Sequence, residues 1–481
     1  MIPVVPVIPV ILYHMRRTKI VCTIGPATAQ FEKILALAQA GMNVARLNMS
    51  HGTHEWHQQI IRAIHTINEK GIFCIAILLD TKGPEVRSGD LKRELTITRG
   101  DQFVFTIKRE AEYPDYTTEV SYDGFVSDVK KGDVILVDGG MLSFRVVSKT
   151  ATDVICECVD GGVFTSRRHL HIKGKSSRAP TISKKDWRDI DFGISEKVDF
   201  IALSFVKDAK SVRLLKEYLK KKHAPIDVIA KIESAVSLPR LSEIVEASDG
   251  VMIARGDLGA EVPLEEVPLI QEDIVVRCRS ANKPVIVATH LLESMIIHPT
   301  PTRAEVTDIA EAVKERADAI MLSGETAAGK FPNRAVSIMD RVAVRIEKKL
   351  TENRVVECES STDPTREIAR NAVILANNLS ATALVVFTRR GFTATLLSRC
   401  RPNCQIYAFT NTTTVRRRLN LYWGVTPFRI EFSQEPEKTI QRALAVLSYR
   451  KLLSAQSRIV VVSDILVGQE FIETIQVREV K

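Results

Sequence analysis

No run of apolar residues in this sequence is long enough to cross a bilayer as a helix. Nor is there a block of like charge. Lys and Arg number 67 against 58 Asp and Glu, a net charge of +9, but the excess is spread along the chain. With no motif that interleaves basic and aromatic residues, this argues against nucleic acid as a partner. It favours a basic surface with a site for anionic substrates. The eight cysteines stand far apart: Cys156 and Cys158 alternate within a strand-like run, and Cys400 and Cys404 are too isolated to make a zinc site. Reduced thiols are therefore expected. The first residues, MIPVVPVIPVILYH, carry Pro3, Pro6 and Pro9, which break any helix, and lack the Arg and Ser richness of a transit peptide. Residues 1–17 are expected to be a disordered lead-in.

What is abundant is short apolar runs. The 481 residues are 45% hydrophobic, enough for two or three domains with large cores. Eight runs rich in Val, Ile, Leu and Ala recur: KIVCTI at Lys19, NVARLN at Asn43, CIAILLD at Cys74, DFIALSF at Asp199, DVIAKIE at Asp227, GVMIARGD at Gly250, PVIVATH at Pro284 and AIMLSGE at Ala319. Runs without polar alternation suit strands buried on both faces of a parallel sheet. Helix-period segments separate them, such as Phe31–Ala40 with Ile34, Leu35 and Ala38 on one face. Eight strand–helix units predict an α/β fold, a closed (β/α)8 TIM barrel over 18–87 and 181–350. Between them, period-2 stretches such as Leu95–Ile97, Phe103–Ile107, Val134–Val137 and Phe144–Val147 predict a small inserted β-barrel lid domain at 88–180. From about 363 to 481, a helix at Ile368–Leu379 and strands at Ala383–Phe387, Gln405–Phe409 and Arg458–Val462 predict an open α/β domain.

The last seven runs each end in a polar residue, at the end of the strand where this fold places its chemistry. Lys231 and Glu233 are two apart, so both side chains point one way into the mouth. A lysine there can neutralise a phosphoryl group in transfer. Glu233 and Asp257 are hard carboxylates, suited to Mg2+ (or Mn2+). Gly256, in Ala254–Asp257, lets the backbone approach a ligand, and a helix turn starting there can hold a substrate carboxylate. Arg46 can grip phosphate bidentately. Asn48, Ser50, Asp80 and Thr81 offer oxygens with a single formal charge, which suits K+. Thr289 can only relay a proton, through water. The plainer alternatives are a structural Lys231–Glu233 ion pair and ordinary strand-end turns. GETAAGKF at Gly324 comes close to a phosphate-binding P-loop, but Phe331 stands where the pattern needs a hydroxyl, so the pattern fails.

TKIVCTIGPAT from Thr18, GMNVARLNMSHGTHE from Gly41, LDTKGPEVRSG from Leu79, KIES from Lys231, ARGDLGAEVP from Ala254, HLLESMIIHPTPTRAE from His290 and MLSGETAAGKFP from Met321 together resemble the pyruvate kinase family. The resemblance implies transfer of a phosphoryl group from phosphoenolpyruvate to ADP, giving pyruvate and ATP. It implies a β lid, a C-terminal regulatory domain and a homo- or hetero-tetramer. By position, Lys231 resembles the residue that stabilises the transferring phosphoryl group, Glu233 and Asp257 the Mg2+ ligands, and Arg46 the phosphate-binding arginine. Arg87 resembles a second basic group at the lid hinge. Asn48, Ser50, Asp80 and Thr81 match K+ ligands, Glu85 the glutamate of K+-dependent members, and Thr289 the residue beside the carbon that is protonated.

RRHLHIKGKS from Arg167, ASDG from Ala247 and HPTPTRAEV from His298 look most like the plastid branch, which implies the plastid stroma, with the cytoplasm as the alternative. His290 and Arg178-Ala179 depart from the family pattern. FTRRGFTA from Phe387 resembles the family's phosphate-binding effector loop only in part, so fructose-bisphosphate activation is not expected. Three other functions compete: a non-catalytic regulatory subunit of the same fold, a Mg2+-dependent lyase acting on an enolpyruvate, and a nucleic-acid binder.

Overall fold

The computed structural model describes residues 16–175, 180–351, 358, 360–467 and 470–480. Most of the lead-in and the Arg178-Ala179 departure lie outside the described residues.

All eight runs form strands, and together they close. Lys19–Thr23, Val44–Asn48, Ala76–Asp80, Phe200–Leu203, Asp227–Ile232, Gly250–Ala254, Val285–Ala288 and Ala319–Leu322 pair in parallel, each with the next. The eighth returns to the first, with Lys19 opposite Ala319. The third and fourth strands pair directly, Leu78 opposite Phe200, across the whole insertion. Alternate residues divide the barrel into two cores. Val21, Val44, Ala76, Leu78, Phe200, Ala202, Ile229, Met252, Ile286 and Ala319 belong to one cluster, the filled interior. Ile20, Ala45, Ile77, Ile201, Val228 and Ile253 belong to another, packed against the outer helices. The Phe31–Ala40 helix buries Ile34, Leu37 and Ala38; Leu35 is only half-buried.

Residues after the third strand form a six-stranded sheet, in spatial order Leu170–Ile172, Val134–Val137, Leu142–Lys149, Asp153–Asp160, Gln102–Thr106 and Thr117–Glu119. A two-stranded sheet pairs Leu95–Ile97 with Gly162–Phe164. Between them lies an aromatic core, with Phe103 centred 5.1 Å from Phe105, 5.2 Å from Phe144 and 5.0 Å from Phe164.

The C-terminal sheet has five strands, in order Val425–Arg429, Gln405–Thr410, Ala383–Phe387, Arg458–Val467 and Glu470–Glu479, the last antiparallel. The first and last were not foreseen. Pro427 reads against a strand, but an edge strand tolerates it.

This C-terminal layer packs on the N-terminal ends of the barrel strands through three arginine–aspartate pairs. Arg401 grips Asp318 with two bonds of 3.0 and 2.9 Å, Arg417 donates to Asp199 at 2.8 Å, and Arg418 to Asp227 at 2.6 Å. Asp318 and Asp199 immediately precede the eighth and fourth strands, and Asp227 begins the fifth.

The thiols correct the reading from sequence. Cys358 and Cys400 are disulfide-bonded, joining residues 42 apart, while six other cysteines are free. Their separation in sequence hid the pair, because the helix Pro364–Asn378 carries the chain back over the intervening stretch.

Candidate active site

The residues at the barrel mouth continue the inward parity of the interior. Two residues beyond Ile229 comes Lys231; beyond Val44, Arg46 and then Asn48; beyond Leu78, Asp80; beyond Ala202, Ser204. Period two therefore aims a lysine, an arginine, a carboxylate and a hydroxyl at one point on the barrel axis.

They meet there. Lys231 Nζ donates to Asp80 Oδ1 at 2.9 Å and to Ser204 Oγ at 2.7 Å, and lies 2.9 Å from Glu233 Oε1. Arg46 Nε donates to Asp80 Oδ2 at 2.7 Å, and its Nη1 to Thr23 Oγ1 at 2.9 Å. Asp80 is fully buried, which alone would raise its pKa, but Lys231 and Arg46 outweigh that and hold it below the usual carboxylate range. Burial likewise opposes the Lys231 charge, and Asp80 and Glu233 outweigh it, so the ammonium is held above its ordinary value. Glu233 goes the other way. Burial, with Asp257 and Asp80 adding to it, pushes its carboxyl up to about 7 against the pull of Lys231. The Phe205 N–H donates to its second oxygen at 2.6 Å.

Three carboxylates (Asp80, Glu233 and Asp257) thus crowd two cations (Lys231 and Arg46). A buried carboxyl with further carboxylates beside it is what a hard divalent cation would relieve, so Glu233 and Asp257 fit Mg2+. Asp257 lies in the first turn of the helix Arg255–Glu261, directly after the sixth strand.

The oxygens expected for K+ are distributed along adjacent strand ends. Asn48 is opposite Asp80 in the register. Its Oδ1 accepts from the Ser50 N–H at 3.1 Å, and the Thr81 carbonyl accepts from Ser204 Oγ at 2.7 Å. Every donor in that set is an oxygen, and only Asp80 is charged, so the set fits a monovalent ion better than a transition metal.

On the far side, the Gly256 N–H is taken by Thr289 Oγ1 at 2.8 Å, and that hydroxyl donates to the Ala288 carbonyl at 2.7 Å. Thr289 and His290 both lie in the left-handed region, at φ 68° and 58°. A Cβ on Gly256 would sit 3.0 Å from His290 Cε1. A side chain at this position must therefore share its space with the exposed ring of His290. Arg255 is anchored on Asp308 by bonds of 2.5 and 2.7 Å.

Arg87 is turned into the hinge: its Nε donates to Glu85 at 2.8 Å and its Nη1 to the Arg167 carbonyl at 2.9 Å. Glu85 also lies 3.2 Å from His169. Despite partial burial, those two partners hold it down at about 2. GETAAGKF forms the short helix Gly324–Ala327, in which Glu325 accepts from the Ser323 and Leu292 N–H groups. Sequence reasoning does not single out Ser204: its contacts with Asp80 and Thr81 depend on the register of the third and fourth strands, which the insertion separates in sequence, and its contact with Lys231 on the pairing of the fourth and fifth.

A family model described as the pyruvate kinase barrel domain matches residues 15–336, and one described as the pyruvate kinase alpha/beta domain matches residues 366–478. The chain belongs to the pyruvate kinase family. It is 54% identical over 448 residues to "Pyruvate kinase isozyme G, chloroplastic" of Nicotiana tabacum, covering 92% of this chain and 79% of that one. It is 53% identical over 453 residues to "Plastidial pyruvate kinase 2" of Arabidopsis thaliana, covering 93% and 78%. Among solved structures, a pyruvate kinase from Cryptosporidium parvum superposes with a TM-score of 0.88 at 32% identity, covering 97% of each chain. The likeness to this pyruvate kinase spans barrel, insertion and C-terminal layer together.

Proposed function

We propose that this chain transfers the phosphoryl group of phosphoenolpyruvate to ADP, giving pyruvate and ATP. The observation that carries this is Lys231, a buried ammonium fixed between Asp80, Ser204 and Glu233 beside Arg46 at the barrel mouth. Arg46 and Lys231 present positive charge where a phosphoryl group would pass from the enol oxygen to a terminal oxygen of ADP. Preorganised charge of this kind needs no rearrangement during the reaction. The remaining enolate needs a proton at its methylene carbon. Thr289 would relay one from water, by exchanging the hydrogen it now gives to the Ala288 carbonyl. Glu233 and Asp257 would hold Mg2+ (or Mn2+), which supplies further neutralisation of phosphate and enolate oxygens when bound. Asn48, Ser50, Asp80 and Thr81 would hold K+. Gly256 and Asp257 border the substrate, and Arg87 acts from the hinge.

Residues 88–180 act as a lid that excludes water, over a barrel of 18–87 and 181–350, with 363–481 as a regulatory layer. The relatives' printed names support a plastid location, and the chain works as a homo- or hetero-tetramer.

The test follows pyruvate formation by the purified chain with and without ADP, Mg2+ and K+. Turnover requiring ADP and Mg2+ and rising with K+ is expected, with Lys231→Met lowering kcat by about 10²–10³. Turnover undiminished in folded Lys231→Met would overturn the assignment.

A further inference from the structure

We infer that the lid and the barrel mouth together form a binding site for a divalent transition-metal ion, Zn2+ fitting best, on His169, His171 and Asp257. His169 and His171 flank Leu170 at the lid strand Leu170–Ile172. Leu170 and Ile172 are buried in the lid core, so strand alternation sends both imidazoles to the opposite face. Their ring centroids are 5.6 Å apart. One ring nitrogen from each and one carboxylate oxygen of Asp257 lie within 4.8 Å of one another, the one such grouping of His, Cys, Asp or Glu among the described residues.

Three ligands around tetrahedral Zn2+ sit about 3.3 Å apart, given bonds of about 2.0–2.1 Å. Modest rotation of the rings would close the present spacing. Each ring also has a carboxylate beside it: Glu85 Oε1 at 3.2 Å from His169 Nε2, and Glu261 Oε1 at 3.6 Å from His171 Nδ1. In zinc sites such carboxylates hold one ring nitrogen protonated and leave the lone pair of the other for the metal. All three ligand residues are half-buried, which leaves a coordination position for water.

The chemistry separates this site from that of Mg2+. Mg2+ takes oxygen ligands, whereas paired imidazoles select Zn2+, Co2+ or Ni2+. The two sites share Asp257, so an ion on the histidines competes with Mg2+ for that carboxylate. It also ties the lid strand to the helix Arg255–Glu261. Zn2+ bound here therefore holds the lid against the mouth and inhibits turnover.

The plainer account is that Glu85–His169 and Glu261–His171 are only ion pairs across the hinge. Metal binding by the full chain separates the two. Chelator-stripped protein would be titrated calorimetrically with Zn2+ in excess Mg2+, and with Co2+ by visible absorption. One Zn2+ per chain that survives Mg2+ is expected, with a Co2+ spectrum of low coordination number. His169→Asn and His171→Asn should each weaken Zn2+ binding at least about tenfold. Metal-free melting curves check that the variants fold. If they do not, zinc-edge X-ray absorption of the wild-type chain counts the imidazoles directly, two being expected. No stoichiometric binding, equal affinity in both folded variants, or a zinc spectrum without imidazole would overturn the proposal. Binding is read without turnover, so its failure leaves the phosphotransfer assignment standing.

Discussion

Gly256→Ala separates the packing of the mouth from its chemistry. Gly256 is the second residue of the helix Arg255–Glu261 and has no left-handed φ, so alanine fits its backbone. Alanine is favoured over glycine in helices, by up to about 1 kcal/mol in an interior and by less in a first turn. The new methyl would lie 3.0 Å from His290 Cε1, 3.4 Å from His290 Nε2 and 3.4 Å from Thr289 Oγ1. His290 is 60% exposed in its side chain and lies 3.4 Å from Glu293, so it can yield by a few tenths of an ångström at little cost. Folding stability should therefore be unchanged or slightly raised. Thr289 cannot yield as easily, because its hydroxyl is fixed by Gly256 and Ala288 and its backbone is strained. The methyl thus projects beside the groups proposed to face the substrate. A displacement of this size at a reacting centre costs about 10–10² in kcat/KM. Urea unfolding and steady-state kinetics in phosphoenolpyruvate, on Gly256→Ala alone and with His290→Ala, would measure both effects. Adding His290→Ala should leave stability near that of Gly256→Ala and should not restore kcat/KM. An unchanged kcat/KM in a stably folded Gly256→Ala chain would refute the placement of substrate against Gly256.

Three further outcomes are expected. Arg401→Met leaves Asp318 buried without its guanidinium and should cost about 3–5 kcal/mol in urea unfolding, with kcat unchanged in the folded fraction. Glu315, at the end of the helix Arg303–Lys314, has its carboxyl pushed up to about 7 by burial, with Glu311 and Glu272 adding to it. A raised folded pKa contributes stability at low pH that is lost as pH rises through about 7. The melting temperature of Glu315→Gln should therefore gain on that of the wild type between pH 5 and 8. Reducing the Cys358–Cys400 bond, which closes a span of 42 residues, should lower stability by up to about 4 kcal/mol, read as a fall in melting temperature that Cys400→Ser reproduces without reductant.

The barrel was legible because its signal is local. Each strand is a short unbroken apolar run ending in polar residues, so Lys231 and Glu233 could be named from their spacing, and Arg46 and Asp80 from their places at the ends of runs. What depends on register was not legible. Ser204 meets Asp80 and Thr81 only because the third and fourth strands pair over the insertion. Asp80 serves Lys231 and Arg46 at once, which its place among oxygen ligands did not suggest. The Thr289–Gly256 bond depends on two residues holding positive φ, which neither Thr nor His signals. In the C-terminal sheet, the strand with Pro427 was hidden because its tolerance depends on lying at an edge.

The Arg418–Asp227 pair carries a mechanical consequence. Asp227 and Lys231 stand on one strand, four residues and about 13 Å apart, one at the floor of the barrel and the other at its mouth. A strand hydrogen-bonded on both sides hardly stretches. It acts as a push-rod: a shift of the C-terminal layer that drags Asp227 along the barrel axis is passed up the strand toward the Lys231 ammonium, from the floor of the barrel to its mouth.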